Sequence, residues 1–132
     1  MSNKRKVQTK CTEMFKIGKN ISSFSTYSCQ PKTREELVNI IIARVYKEGL
    51  NCNLNDVDTS LITDMSWIFS WTEFNGNISN WNVSNVTNMS GMFDGAIFNQ
   101  DISNWKIRKD CDIDYLFYNC PIKEEHKPKS LQ

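Results

Sequence analysis

The feature that most constrains this chain is an internal repeat of 24 residues. Residues 58–81 read DTSLITDMSWIFSWTEFNGNISNW, and residues 82–105 read NVSNVTNMSGMFDGAIFNQDISNW. The two copies align without a gap and are identical at eleven positions. A degenerate third copy follows up to Ile122, and a fragment at 54–57 leads in. Self-similarity at this period predicts a solenoid, in which each turn buries its apolar face only against its neighbours.

The spacing of apolar residues inside one repeat predicts how each turn folds. The step Trp81-x-Val83 has a period of two and indicates a short strand with both side chains inward. The later steps of three and four, from Val86 to Phe93, indicate a short helix or 3₁₀ turn. We therefore predict an α/β fold, a short right-handed leucine-rich-repeat-like solenoid of about three 24-residue turns with an N-terminal capping helix. The Trp, Met and Phe residues in this register are interpreted as core.

The segments outside the repeat are predicted from caps and charge. Thr33-Arg34-Glu35-Glu36 is a capping box, the residues that follow are strongly apolar up to Tyr46, and Gly49 supplies a stop. Such a helix would cover the exposed first turn of the repeat. We divide the chain into a basic N-terminal segment (1–30), a capping helix with lead-in (31–53), the repeat (54–122) and a polar C-terminal tail (123–132).

The repeat motif resembles a known family. V-S-N-V-T-N-M-S-x-M-F, followed by F-N-x-D-I-S-N-W, closely resembles the BspA-like leucine-rich-repeat family of bacterial proteins over residues 54–122. Residues 31–53 resemble the helical lead-in of short, non-secreted members. The resemblance implies a curved α/β solenoid used for adhesion or partner binding, without characteristic catalytic residues. Small members of this kind also look like products of phages and mobile elements.

Composition and motifs exclude several classes of function. The 16 Lys and Arg balance 15 Asp and Glu, which argues against a strongly basic nucleic-acid binder. His126 is the single histidine, and the five cysteines contain no C-x-x-C pair, so we predict reduced thiols, no metal and no cofactor. No catalytic motif occurs, and we predict that the chain is not an enzyme. A polar N-terminus and the lack of a long apolar stretch predict a cytoplasmic protein with no membrane contact. The resemblance to BspA-like proteins implies that its host is bacterial.

Local sequence chemistry suggests roles for the recurrent asparagines. Asn-x-Ser/Thr triplets begin at Asn20, Asn77, Asn82, Asn85 and Asn88. We interpret them as turn residues of the repeat, because Asn and Ser bond to nearby backbone. Two further asparagines, at positions 75 and 99, recur one repeat apart and are predicted to form an internal ladder.

Charge along the chain is uneven. Residues 48–105 hold seven acidic residues and no Lys or Arg, whereas bases concentrate near the N-terminus. The candidate nucleic-acid-binding residues are Lys4, Arg5, Lys6, Lys10, Lys16 and Lys19. The alternative for this segment is a solvated tail that packs apolar residues on the capping helix. Those residues are Met14, Phe15, Ile17, Ile21, Phe24 and Tyr27.

A candidate partner-binding surface follows from the predicted strand. If Trp81 and Val83 point inward, their neighbours point outward on the concave side, and the equivalent residues do so one turn earlier and later. We call this set the polar strip; it comprises Asp56, Asp58, Ser60, Asn80, Asn82, Ser84, Asn104, Lys106 and Arg108. Its charge runs from acidic through neutral to basic. This order predicts an oriented docking surface, and ordinary solvation of exposed charges is the alternative.

The sequence therefore predicts a non-catalytic protein-binding module that occupies a partner's surface. From chain type alone, the partner would be a host defence protein such as a CRISPR nuclease, inhibited by a phage or mobile-element product. The alternatives are a nucleic-acid-associated protein that binds through its N-terminus and a structural, adhesin-type repeat fragment. The sequence also leaves undecided whether exposed repeat edges pair to form oligomers.

Overall fold

The computed structural model describes residues 29–131. Within that range the chain forms one α-helix, α1 (Arg34–Glu48), and two short 3₁₀ helices, Glu124–His126 and Lys129–Leu131. The remainder consists of turns and irregular backbone.

Helix α1 begins and ends where the sequence predicts. The Thr33 hydroxyl accepts a hydrogen bond from the Glu36 N–H at 3.1 Å, and the Glu36 carboxylate accepts one from the Lys32 N–H at 2.8 Å. Gly49 ends the helix with a φ of 98°, and its N–H donates to the Val45 carbonyl. The positive φ explains why glycine stands at this position.

Only part of the apolar surface of α1 is buried. Leu37, Ile40 and Ile41 pack into the core, whereas Ile42 and Tyr46 are exposed. The broad apolar face expected from the sequence is therefore narrower in the structure, and the helix presents apolar side chains to solvent.

The fold predicted for the repeat is wrong. Residues 29–131 contain one α-helix and no strand, so an α/β leucine-rich-repeat solenoid is not supported. The step Trp81-x-Val83 forms no strand, and the segment from Val86 to Phe93 forms turns instead of a helix. Parallel pairing is confined to isolated bridges, such as those that join Asn88 to Asp64 and to Asp112.

Local hydrogen bonds explain why strands do not form. At eight places an Asn or Asp Oδ1 accepts a hydrogen bond from the backbone N–H two residues later; the acceptors are Asn53, Asp58, Asp64, Asn77, Asn82, Asn88, Asp101 and Asp112. Each bond bends the backbone, so the extended runs stay too short to pair into a ladder. Further turns are closed by backbone hydrogen bonds, such as those from the Trp81 N–H to the Ile78 carbonyl and from the Val86 N–H to the Val83 carbonyl.

These bonds confirm the turn role of three Asn-x-Ser triplets, at Asn77, Asn82 and Asn88. Asn85 differs, because its side chain donates to the Ser60 carbonyl at 2.8 Å. Asn20 lies outside the described residues.

Equivalent residues of successive repeats are nevertheless in contact. The N–H groups of Met65, Trp67 and Phe69 donate to carbonyls one repeat later, at 2.8 to 3.0 Å. Asn75 Oδ1 accepts from the Asn99 N–H at 2.9 Å, and Asn99 Oδ1 accepts from the N–H of the residue one repeat further on at the same distance. The predicted asparagine ladder is thus confirmed, as a chain of side-chain to backbone bonds.

Aromatic rings at the same register form the core. Ring centroids lie 5.5 Å apart for Phe69 and Phe93, and 6.3 Å apart for Phe74 and Phe98. Trp81 and Trp105 are the last residues of the two copies, and the centroids of their indole rings lie 6.5 Å apart. Both indole N–H groups donate to buried carbonyls, at 2.9 and 3.1 Å. The prediction that these residues form the core is confirmed.

A buried ion pair joins α1 to the beginning of the repeat. Arg44, 3 % exposed, donates to both carboxylate oxygens of Asp56, at 3.1 and 2.9 Å, and to the Asn53 carbonyl at 3.0 Å. Burial disfavours the charged guanidinium, but Asp56 and Glu48 outweigh that effect and raise the pKa of Arg44. The strip residue Asp56 therefore has a structural partner.

Replacement of Asp56 by Ala should destabilise the fold, because it removes the carboxylate that accepts two hydrogen bonds from Nη1 of the buried Arg44 and leaves Glu48, at 3.3 Å, as its ionic partner. We expect the free energy of unfolding to fall by about 3 kcal/mol. The matched change Asp58→Ala removes a more weakly held carboxylate and should cost about 1 kcal/mol or less. Urea unfolding followed by circular dichroism measures both, and equal losses for the two variants would contradict the ion-pair argument.

Candidate partner-binding surface

Burial along the polar strip follows the predicted alternation, although the backbone is not a strand. Trp81 and Val83 are buried, and Asn80, Asn82 and Ser84 between and beside them are exposed. One repeat later, Trp105 and Ile107 are buried while Asn104, Lys106 and Arg108 are exposed. One repeat earlier, Asp56, Asp58 and Ser60 are partly exposed around buried Val57 and Thr59.

Two shallow cavities join strip residues of different repeats. Asp56, Asp58, Asn80 and Asn82 line one cavity of about 290 Å³. A second cavity of about 290 Å³ contains Asn80 and Asn104. Because Asn80 belongs to both, the structure brings residues of all three units onto one continuous polar surface.

Local turns hold this surface in place. Asn82 Oδ1 accepts hydrogen bonds from both the N–H and the hydroxyl of Ser84, at 2.9 and 2.7 Å. The Asn80 N–H donates to Asn55 Oδ1 at 2.8 Å. Within residues 29–131, the side chains of Asn80, Asn104 and Lys106 make no hydrogen bond or ion pair. Their donors and acceptors face solvent.

The charge gradient along the strip is weaker than the sequence predicts, because the charged residues Asp56 and Arg108 are both ion-paired. Asp56 is held by Arg44, as described above. At the other end, Arg108 donates through Nε and Nη2 to the two carboxylate oxygens of Asp110, at 2.7 and 2.9 Å. This hydrogen bonding raises the pKa of Arg108 and lowers that of Asp110. The Arg-x-Asp spacing was visible in the sequence, whereas Arg44 and Asp56 are twelve residues apart and on different elements.

Two charges of the strip have no ionic partner within the described residues. Asp58 accepts hydrogen bonds from the Gln30 amide at 3.0 Å and from the Ser60 N–H at 2.9 Å, and both donors are neutral. Lys106 projects from the third unit. The charges that the strip presents to solvent are therefore those of Asp58 and Lys106.

Residues 42–126 match the model of a family described as "Mycoplasma protein of unknown function, DUF285". The chain belongs to the DUF285 family. The matched range begins inside α1 and contains the whole polar strip. This DUF285 match fits the BspA-like resemblance loosely without confirming it. No curated protein and no solved structure matches the chain.

The other sequence-predicted sites of this DUF285 chain fall outside the described part. Lys4, Arg5, Lys6, Lys10, Lys16 and Lys19 lie there, as do the apolar residues expected to pack on the helix. No group of three or more His, Cys, Asp and Glu between residues 29 and 131 is placed to hold a metal ion. Over the same range, no helix has the length and apolar character needed to cross a membrane.

The cysteines divide into two states. Cys52, Cys111 and Cys120 are free thiols, as predicted, but Cys29 is disulfide-bonded, so the prediction of reduced thiols throughout is wrong. Burial raises the pKa of all three free thiols. A raised pKa reduces the thiolate fraction and makes these sulfurs poor nucleophiles. The histidine is also bound, with His126 Nδ1 donating to Asn99 Oδ1 at 2.9 Å.

The free thiols should be alkylated slowly in the folded DUF285 protein. Iodoacetamide should label Cys52 and Cys111 slowly at neutral pH and faster as the pH rises, because only the thiolate reacts. Cys29 should be labelled only after reduction. The contribution of these thiols to the free energy of unfolding should be complete below the ordinary pKa of a thiol. It should decline above that pKa, since the folded thiols retain protons that unfolded thiols lose. Peptide mass mapping checks the labelling, and rapid labelling of Cys52 at neutral pH would contradict its burial.

Proposed function

We propose that the protein is a non-catalytic protein-binding module that occupies a partner's surface with its polar strip. The observation that carries the proposal is the continuous exposed surface on which Asn80, Asn104 and Lys106 have no partner within the described residues. Protein interfaces are polar at their rims and carry about one hydrogen bond per 100–200 Å². Side chains whose backbone is already fixed by turns lose little further entropy when they meet such a partner.

Charge supports an oriented contact. Asp58 in the first unit and Lys106 in the third mark opposite ends of the strip. A partner with the reverse order of charges would bind in one direction, since like charges oppose the other. The resemblance of the repeat to BspA-like proteins, which use such repeats for adhesion or partner binding, supports the same proposal.

The raised pKa values of the described free thiols support a binding role over thiol catalysis. A cytoplasmic setting and an inhibitory action on a host defence protein such as a CRISPR nuclease rest on chain type.

The disulfide at Cys29 favours a second candidate, an adhesin-type module outside the cell. Disulfides persist in oxidising compartments and are rare in the cytosol. Acid quenching with thiol blocking, followed by mass spectrometry of protein from its native cells, separates the two settings. A reduced Cys29 supports the cytoplasmic module, and an oxidised Cys29 in the extracellular fraction supports the adhesin.

A charge reversal tests the strip directly. Affinity capture from a lysate of cells that carry the protein, treated with nuclease, identifies the bound protein, which is then purified for titration. Lys106→Glu should weaken its binding about tenfold, equivalent to about 1.4 kcal/mol. The matched control Lys109→Glu makes the same charge change at an exposed residue outside the strip and should bind as the unaltered chain does.

Two results would overturn this proposal. If Lys106→Glu and Asn80→Ala both bind with unchanged affinity while remaining folded, the strip is not the interface. If nuclease removes everything that was captured, and capture without nuclease weakens steeply with salt, the function belongs to the basic N-terminal residues.

A further inference from the structure

A second exposed surface is distinct from the polar strip. Four aromatic side chains that we call the aromatic face, namely Trp67, Trp71, Tyr115 and Tyr118, are 45 %, 73 %, 61 % and 57 % exposed. The tryptophans belong to the first repeat and the tyrosines to the third unit, and Gly91 and Gly95 of the second repeat lie between them. The N–H of Gly91 donates to Asp114 O and that of Gly95 donates to Tyr118 O, both at 2.8 Å. The tyrosine rings meet edge to face, with centroids 5.6 Å apart.

Both indole rings lie directly over glycines of the next repeat. A Cβ atom at Gly91 would come within 2.1 Å of the Trp67 ring, and one at Gly95 within 2.4 Å of the Trp71 ring. Both glycines also have positive φ, at 63° and 71°. Each indole is thus supported by backbone on one side and open to solvent elsewhere.

The backbone holds these aromatic residues at a cost. Trp67, Trp71 and Tyr115 have φ values of 59°, 57° and 61°, in the left-handed region. That conformation costs a residue with a side chain about 1–2 kcal/mol relative to the right-handed one. The equivalent positions of the second repeat carry glycine, which adopts this conformation freely. Exposed tryptophans in strained positions are unexpected from folding stability alone, and such outliers favour a functional explanation.

The surroundings of the aromatic face are acidic. Asp94 lies between the two glycines, its carbonyl accepts from the Trp71 N–H at 2.8 Å, and its Oδ1 is buried without a hydrogen-bond partner among the described residues. Glu73 and Asp114 are exposed near Trp71 and Tyr115 in the sequence.

Arg34 and Lys127 each have a hydrogen-bond partner. Arg34 donates to the Ser66 carbonyl at 2.7 Å, beside Trp67. Lys127 bonds to Glu124 and lies 5.5 Å from the centroid of the Phe117 ring. Residues 48–105, which supply both tryptophans, contain no Lys or Arg. The charge that this surface would attract is positive.

We propose that the aromatic face binds a Lys- or Arg-bearing segment of a partner protein. Cationic side chains lie over the faces of Trp and Tyr rings, where the ring quadrupole attracts them. The carboxylates of Asp94 and Asp114 add negative charge, which attracts a cationic ligand but not a neutral one. This site is independent of the polar strip.

Titration of the full chain with a short fluorescein-labelled Arg- and Lys-rich peptide tests the proposal by anisotropy. The same peptide with Gln in place of every base is the control. We expect saturable binding of the basic peptide only, weakened as salt screens the carboxylates. Intrinsic fluorescence should change with it, because Trp67 and Trp71 are exposed whereas Trp81 and Trp105 are buried.

Substitutions separate the aromatic contact from simple packing. Trp71→Leu keeps an apolar side chain over Gly95 but removes one ring from the aromatic face, and should weaken binding about fivefold. Trp71→Phe should recover most of that affinity, and Asp94→Asn should lower both the affinity and its salt dependence. Tyr46→Ala, at the exposed aromatic residue of α1, is the control and should bind normally. Thermal unfolding shows that each variant is folded.

Four outcomes would overturn the proposal. Equal affinity for the basic and Gln peptides would remove the cationic contact. A loss with Tyr46→Ala as large as that with Trp71→Leu would move the site to the exposed apolar side chains of α1. Displacement of the peptide by a neutral oligosaccharide would identify a glycan site. Concentration-dependent dimerisation that shields the exposed tryptophans from iodide would show that a second copy covers the face.

Discussion

The hydrogen bond from an Asn or Asp side chain to the N–H two residues later is the interaction on which this structure depends. It occurs eight times between residues 53 and 114, at related positions of successive units. Each bond fixes a bend that would otherwise have to be held by a ladder between strands. The backbone can therefore place buried and exposed side chains in alternation without forming a sheet. The polar strip exists because these turns, rather than strand pairing, direct Asn80, Asn82 and Ser84 outward.

The sequence predicted the parts of the fold that depend on local chemistry or on repetition. Helix α1 was predictable because Thr33, Glu36 and Gly49 are capping residues in their usual places. The register of the core was predictable because identical residues recur after 24 positions. The strand was not, since Trp81-x-Val83 gives the same period of two whether the backbone is paired or merely turned. The Asn-x-Ser triplets already indicated turns, and they should have outweighed a two-residue strand pattern.

The candidate site was less predictable than the fold, because its charges depend on contacts between separate elements. Alternation identified the exposed positions of the second and third units, whereas Asp56, Asp58 and Ser60 are only partly exposed. It did not show that Asp56 is bound by Arg44, which lies twelve residues earlier, on α1. Removing one partner of a buried ion pair is far more costly than removing an exposed charge. Asp56 therefore contributes to the fold through its ion pair, and the strip charges without an ionic partner among the described residues are those of Asp58 and Lys106.

The tryptophans show how the repeat itself constrains function. Trp67 and Trp71 can lie where they do because the next unit has glycine at positions 91 and 95, and any Cβ there would collide with the rings. The two copies therefore differ in a coordinated way: where the first has tryptophan, the second has glycine. Strain at the tryptophans and freedom at the glycines follow from the same backbone shape. A chain under selection for stability alone has no need of this pairing, because glycine or asparagine in both copies would relieve the strain. The exposed aromatic surface is what the arrangement gains, and its acidic surroundings determine which ligands it can attract.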